Sequence, residues 1–158
     1  MRKIITAFCA VLLVMAALPA SAFEPNTSDR LELDVKRAII DIKKADPGIE
    51  TFFESAAAYA VFPSVGKGGL IVGAAYGKGL VIVNEQVDGT TTLSQATIGL
   101  QAGGQKYAQF IFFKDETALN HFRRGNFEFG AQASAVAITA GASADANYDS
   151  GVAIFTHA

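Results

Sequence analysis

Lysines that stand beside or within two residues of glycines are the residues of this chain best suited to bind an anionic group such as a phospholipid headgroup. Glycine lets backbone N–H groups approach a ligand closely, and the lysine ammonium supplies the opposite charge. Exposed lysines at strand ends also keep β-sheets soluble, so a purely structural role stays open. The candidate binding residues are Lys78, Lys106, Gly77, Gly79, Gly103, Gly104 and Lys67.

The grouping of these lysines depends on how the surrounding strands connect. If the segment from Gly69 to Phe113 forms an up-and-down sheet, Lys78 and Lys106 lie at one end of it. Lys67 and Lys114 then lie at the opposite end. Because the first end also carries the four glycines, we expect it to be the binding end.

The sequence contains no recognisable catalytic motif. His121 and His157 are the two histidines, and neither belongs to a His-Glu-x-x-His, Gly-x-Ser-x-Gly or Ser-x-x-Lys arrangement. The segment from Ser64 to Gly69 resembles a phosphate-binding loop, but it lacks the Ser or Thr that follows Gly-Lys in that loop. We therefore expect a protein that is not an enzyme and that has no cofactor.

Metal binding is not expected either. Cys9 is the single cysteine, and the two histidines are far apart in the sequence. Asp145-Ala-Asn-Tyr-Asp149 places oxygen ligands at alternate positions, as a calcium loop does. That loop also requires Gly at its sixth position and Glu at its twelfth, where this chain has Ser150 and Thr156. A polar turn between two strands explains the segment as well.

The composition excludes two classes of protein. Apolar residues make up 51% of the chain and charged residues 18%, which is too apolar for a disordered protein. The 13 basic residues do not exceed the 15 acidic ones, and the formal net charge is −2. Binding to nucleic acid through a basic surface is therefore not expected.

The first 22 residues have the pattern of a secretory signal peptide. Arg2 and Lys3 precede an apolar run from Ile4 to Leu18, and Ala20-Ser21-Ala22 forms a small-residue cleavage site. Cleavage after Ala22 removes the one cysteine, which suits an oxidising compartment. We expect export to the periplasm or secretion, with an uncleaved anchor as the alternative.

Three amphipathic helices are predicted in the remaining chain. A polar leader (23–28) precedes a helix from Asp29 to Ala45 with Ser28 as its N-cap, because apolar residues recur there at helical spacing. A second, shorter helix follows from Ile49 to Ala56. A third begins after Asp115 and covers 116–122. The first helix can pack on a sheet or on a membrane surface, and we favour the sheet.

The other segments predict strands separated by glycine turns. A strand at 59–62 ends at Pro63, and Gly77-Lys78 and Asp88-Gly89 predict hairpin turns. The remaining predicted strands are 69–76, 79–84, 91–102 (followed by a Gly103-Gly104 turn), 107–113, 127–142 and 148–156. The predicted fold class is α+β. A curled, glycine-rich antiparallel sheet forms a half-barrel-like meander, and the helices, including the short third one near 115–123, pack against it.

Several segments, in order, resemble the signature of the SYLF domain family. The first of them, Tyr59-Ala-Val-Phe-Pro-Ser-Val-Gly-Lys-Gly-Gly69, is the most specific. The others are Gly73–Gly79, Gly99–Gln105, Phe112–Asp115 and Phe127–Ala131. The resemblance extends from about Asp34 to the end of the chain, so we expect one domain over 29–158. Relatives usually continue with another Lys-Gly-Gly turn and a strand, so the resemblance implies either that the domain is truncated here or that its last strand is an exposed edge.

The resemblance implies a function in binding rather than catalysis. Eukaryotic members are associated with membrane phosphoinositides, and some yeast members bind actin. The bacterial branch is exported and is similar to a stand-alone lipid-binding module. We therefore expect an exported protein that binds phospholipid or a membrane surface. The alternative is a structural or protein-interaction module of the envelope, for which the family's actin label does not supply the native partner.

Overall fold

The computed structural model describes residues 22–68, 72–98, 105–124 and 135–158. The predicted signal peptide, apart from Ala22, lies outside these residues. The α-helices are α1 (Arg30–Ala45), α2 (Glu50–Ser55) and α3 (Glu116–Arg123), with 3₁₀ turns at Pro47–Ile49 and Ala142–Asp145. The strands are β1 (Ala58–Gly68), β2 (Val72–Val83), β3 (Gln86–Ile98), β4 (Gln105–Phe113), β5 (Val136–Ala137) and β6 (Val152–His157).

The predicted helices are confirmed, with one change at the start of α1. The Glu32 N–H donates to Asp29 Oδ1 at 3.1 Å, so Asp29 rather than Ser28 is the N-cap. Either residue type can cap a helix, and only the backbone geometry selects between them. The apolar residues of α1 at helical spacing are buried against the sheet: Val35, Ala38, Ile39 and Ile42.

The sheet is open and mixed, with strand order β3-β2-β1-β4-β6-β5. β1 is central and pairs antiparallel with both β2 and β4, whereas β5 pairs parallel with β6. The α+β class with a curled, unclosed sheet is therefore confirmed. The simple meander is wrong, because β4 pairs with β1 rather than with its predecessor β3. Local periodicity does not encode which strand becomes the neighbour of which.

β1 continues through Pro63, where the sequence predicted its end. The register with β2 passes from Val61–Leu80 to Gly66–Tyr76, so β1 holds one extra residue between these pairs. The register with β4 shifts in the same stretch. Proline has no N–H to donate to a ladder, and a β-bulge is one of the few interior positions that accept it. We call Pro63-Ser64 the β1 bulge.

β2 also differs from the prediction, because Gly77-Lys78 forms no turn. β2 runs without interruption from Val72 to Val83. The hairpin turn instead uses Asn84 and Glu85, whose φ angles are 50° and 60°. Two successive left-handed residues are the geometry of the turn that matches the twist of a hairpin. The second predicted turn, Asp88-Gly89, lies within β3.

The two faces of the sheet pack against different helices. On the α1 face, α1 and α2 cover aromatic residues of β1, β4 and β6, and Phe52 and Phe53 of α2 lie against Phe112 with ring centroids 5.6 and 4.9 Å apart. On the α3 face, Ala118 and Leu119 of α3 pack against apolar residues of β1, β4 and β6. The sheet is therefore buried on both faces around β1 and β4.

Among the described residues, the two C-terminal strands cover fewer residues than predicted. Of the predicted strand 127–142, residues 127–134 lie outside the described residues and Val136–Ala137 forms β5. Its last residues form loop and the beginning of a 3₁₀ turn. The predicted strand 148–156 corresponds to β6, Val152–His157.

Candidate binding groove

Gly77 and Gly79 make room for the side chains of β1. A Cβ on Gly79 would lie 2.5 Å from the Val61 carbonyl oxygen and 2.6 Å from Phe62 Cδ1. A Cβ on Gly77 would lie 3.0 Å from Val65 Cγ2. Contacts this short are repulsive, so both positions need glycine for packing alone. Their presence is explained without a ligand.

The lysines are grouped differently from the prediction. In the β1–β4 ladder, Gly66 pairs with Lys106 and Lys67 pairs with Gln105, so the backbones of the two lysines lie at the same end of the sheet. Lys114 follows Phe113, which pairs with Ala58 at the opposite end. The prediction that Lys67 and Lys114 lie at the same end of the sheet is wrong. Lys67 lies near the C-terminal end of β1 and Lys114 directly follows β4, which runs antiparallel to β1. Gly103 and Gly104 lie outside the described residues.

Lys78 and Lys106 project from the same face of the sheet. Side chains alternate along a strand, so Lys78 shares a face with Leu80, and Lys106 with Ala108. Leu80 and Ala108 both belong to the cluster beneath α1. Lys78 lies within β2, opposite Thr92 of β3, and not at a strand end. The two exposed lysines therefore stand on the α1 face, on the strands that flank β1.

Lys106 lines an open groove of about 370 Å³ between α1 and the β1 bulge. One wall is α1, which contributes residues one helical turn apart. The β1 bulge, the start of β4 and the end of β6 form the rest. We call this the bulge groove, and it is lined by Asp34, Arg37, Ala38, Asp41, Pro63, Ser64, Lys106, Tyr107, Ala108, His157 and Ala158.

The charges of the bulge groove are mixed. Arg37 Nη1 lies 3.8 Å from Asp34 Oδ1, and the two side chains are 76% and 44% exposed. So exposed a pair contributes little stability, and a ligand can compete for the guanidinium. Among the described residues no carboxylate pairs with Lys106. Burial raises the pKa of the Tyr107 phenol, which remains a neutral hydrogen-bonding group.

The two histidines lie apart in the described structure. His157 lies in the bulge groove, whereas His121 is exposed on α3. Within the described part of the chain no three His, Cys, Asp or Glu side chains cluster closely enough to hold a metal ion. None of the described helices is both long and apolar enough to cross a bilayer. The chemistry available in the groove is ionic and hydrogen-bonded binding.

Lys106, a candidate binding residue from the sequence, lines the bulge groove, whereas none of the α1 residues of its wall was a candidate. Asp34, Arg37, Ala38 and Asp41 follow the i, i+3, i+4, i+7 spacing of one helix face. That spacing predicts that they form a single stripe along α1. It does not reveal which strands the stripe faces, since this depends on the direction in which α1 crosses the sheet.

Comparison with known proteins identifies the family of the C-terminal part. A search of curated proteins gives no match. Residues 94–157 match the family model Ysc84, described as "Las17-binding protein actin regulator". The matched segment includes the end of β3 together with β4, α3, β5 and β6. It therefore contains Lys106 and His157 of the bulge groove. This match confirms the family expected from the sequence: residues 94–157 belong to a Ysc84 (SYLF) domain.

Proposed function

We propose that this protein is a non-catalytic module that binds anionic phospholipid headgroups in the bulge groove. The observation that carries the proposal is the position of Lys106, exposed at an open groove that also contains Arg37 and Ser64. Membership in a family of binding proteins is consistent with it. The phospholipid as ligand comes from the SYLF resemblance and from the charge of these side chains.

The net charge of the chain argues for local binding. A formal charge of −2 does not attract the whole protein to an anionic membrane. The ammonium of Lys106 and the guanidinium of Arg37 must therefore contact phosphate oxygens directly, and Lys78 projects from the same face of the sheet. The neighbouring carboxylates of Asp34 and Asp41 oppose an anion. Affinity is accordingly modest and falls as the salt concentration rises.

We also propose that the protein acts outside the cytoplasm. The support is the signal-peptide pattern of the first 22 residues and the loss of the only cysteine when they are removed. The lipids available would then be those of the periplasmic or external membrane surfaces. Anionic phospholipid as a class is the ligand that fits both the location and the groove.

Vesicle flotation tests the proposal. The protein is mixed with vesicles of zwitterionic lipid alone or with added anionic phospholipid, and the floated fraction is measured. We expect flotation only with anionic vesicles. Each basic residue near an anionic surface contributes about 1 kcal/mol, so the charge reversal Lys106→Glu should weaken binding about tenfold or more.

Lys114→Glu is the matched control. Lys114 is exposed just past the opposite end of β4, and its reversal changes the net charge by the same amount. We expect it to retain most of the binding. Equal losses for the two variants would exclude the bulge groove as the site. No flotation with either kind of vesicle would exclude lipid binding altogether.

The second candidate function is a protein-interaction module. The family description names a protein that binds another protein, Las17, and regulates actin. An exported protein does not meet cytoplasmic actin, so an envelope protein is the partner in this case. Failure of flotation together with a partner that binds the wild type and not Lys106→Glu would support this alternative.

A further inference from the structure

The residue that follows the predicted cleavage point is buried in the hydrophobic core. Phe23 is 3% exposed and belongs to the cluster that contains Val35, Ile39 and Phe53. Ala22, directly before it, is exposed. The sequence predicts a polar leader at 23–28. The burial of a large aromatic side chain at the beginning of this segment gives it a defined position.

Hydrogen bonds fix the same segment to α1. Lys36 Nζ donates to the Phe23 carbonyl oxygen at 2.8 Å. The Asn26 N–H donates to Glu32 Oε2 at 2.6 Å, and the Asp29 N–H donates to the Asn26 carbonyl oxygen at 3.0 Å. The backbone from Phe23 to Asp29 is therefore held by hydrogen bonds to the first turns of α1 and by the buried side chain of Phe23.

Two cavities meet at Ala22 and Phe23, and Glu85 lines both of them. The smaller one, about 260 Å³, lies between α1, α2 and the first residues of β1. The larger one, about 540 Å³, extends toward Gln86 and Val87. The backbone between Ala22 and Phe23 thus lies in the same pocket region as a carboxylate from the β2–β3 turn.

The smaller cavity contains more carboxylates than free cations. Its acidic side chains are Glu50, Glu54 and Glu85, and its basic ones are Lys36 and Lys43. Lys43 Nζ is 2.9 Å from Glu50 Oε2 and 4.6 Å from the centre of the Phe53 ring. Lys36 donates to Phe23, as described. Glu24 and Glu32 line the larger cavity and add to the negative charge.

Glu85 is held in a fixed position. It is half-buried, and its φ of 60° belongs to the left-handed region, which a non-glycine residue adopts only in a tight turn. Tyr59 Oη donates to Glu85 Oε2 at 3.0 Å. Burial is the main cause that raises the pKa of Tyr59, and the negative charge of Glu85 raises it further. The phenol therefore stays protonated and remains a donor. No described basic side chain pairs with Glu85.

We propose that cleavage between Ala22 and Phe23 creates an α-ammonium group on Phe23, and that this group forms an ion pair with the Glu85 carboxylate. The ion pair docks the new N-terminus against the rest of the mature chain. Hydrolysis breaks the amide C–N bond: the hydroxyl of water adds to the Ala22 carbonyl carbon, and its other hydrogen goes to the Phe23 nitrogen. The new carboxyl group of Ala22 then releases its proton, and the Phe23 amine takes one up. Before cleavage the same nitrogen is a neutral amide. Processing thus adds a third cation to a cavity that contains three carboxylates and two lysines. This inference rests on the export proposed above.

The pKa of the α-amino group tests the docking. The protein is exported and purified from the periplasm, its terminus is sequenced, and the α-amino group is titrated by NMR. A free α-amino group titrates at about 7.7–8.0, and an opposite charge within ionic contact raises that value by about 1 unit. We expect the raised pKa in the wild type and an ordinary one in Glu85→Gln, which keeps an oxygen for Tyr59.

Glu116→Gln is the matched control, since Glu116 is exposed on α3 at the other face of the sheet. It should leave the raised pKa unchanged. A second measurement uses one alanine inserted before Phe23, which displaces the ammonium. This insertion should lower Tm in the wild type and have no further effect in Glu85→Gln.

The outcomes separate this inference from export. Phe23 as the terminus with an ordinary α-amino pKa would refute the docking and leave export standing. A periplasmic protein with another terminus would also refute it. A protein that remains in the cytoplasm with its first residues intact would refute export and the docking together. Even if Glu85→Gln fails to fold, the pKa of the wild type decides the question.

Discussion

The close approach of β2 to β1 makes Gly79→Ala the most informative single substitution. The new methyl group would lie 2.5 Å from the Val61 carbonyl oxygen and 2.6 Å from Phe62 Cδ1. An ordinary contact between carbon atoms is about 3.5–4.0 Å long. The Phe62 ring can rotate slightly, but the Val61 carbonyl belongs to the central strand. Because β1 is paired on both sides, moving that carbonyl disturbs two ladders at once.

The expected cost follows from the kind of clash. Overpacking a core costs about 1–3 kcal/mol, and an immovable backbone atom places Gly79→Ala near the upper end. In a domain of this size, about 2–4 °C of Tm corresponds to each kcal/mol, so Tm should fall by roughly 5–10 °C. Gly77→Ala, with nearest atoms at 2.9 and 3.0 Å, should cost about 1 kcal/mol.

Gly89→Ala is the control, because nothing lies within 4 Å of its Cβ position. Its effect on the free energy of unfolding should stay within about 0.5 kcal/mol. Urea unfolding and thermal melts of the three variants give the order of stability. If Gly79→Ala is as stable as Gly89→Ala, the packing explanation is refuted. Vesicle flotation of Gly77→Ala below its melting temperature should match the wild type, since the glycine's role is in packing.

Two further predictions concern hydrogen bonds made by aspartate side chains. Asp46, 2% exposed, accepts from the N–H groups of Ser143 at 2.7 Å and Gly48 at 3.1 Å. Burial alone would raise its pKa, but the hydrogen bonds from Ser143 and Gly48 outweigh burial and hold the pKa below 3.8. Its stabilising contribution is therefore present above that pH and is lost as the pH falls through the folded-state pKa. Asp46→Asn should lose roughly 1–3 kcal/mol at neutral pH, and urea unfolding should show the two proteins converging in acid; an unchanged gap would contradict this. Asp115 Oδ1 accepts from the Ala118 N–H at 2.9 Å, so Asp115→Ala should cost about 1 kcal/mol in urea unfolding while Asp115→Asn costs much less. Equal losses for the two Asp115 variants would show that the cap is not the cause.

The helices were predictable because their signals are local. Asp115 stands directly before α3, and Pro47-Gly48 follows α1, so the start of one and the end of the other are written in adjacent residues. The apolar stripe of α1 needs no knowledge of its partner, because any packed helix buries one face. The remaining error, Ser28 for Asp29, is a shift by one residue between two good caps.

The strand turns were harder, because glycine has two uses that a sequence does not distinguish. The sequence predicts a turn at Gly77 and a strand that begins at Gly79, yet both glycines lie within β2 and make room for Val65 and Phe62 of the neighbouring strand. The actual turn uses Asn84 and Glu85, and a glutamate at φ 60° has no sequence signal. Pro63 misled for the same reason, since a bulge and a strand end both accept proline.

The sequence by itself determined the α+β fold class and the family resemblance, because the amphipathic helices and the family signature rest on short-range patterns. The tertiary structure decided which charges meet. Lys106 shares a groove with Arg37 and Asp34 because β4 pairs with β1 and because α1 crosses the sheet beside the β1 bulge. Those contacts join residues about 70 positions apart in the chain. Strand pairing and helix docking depend on the total burial of both faces of the sheet, and no local pattern encodes that sum.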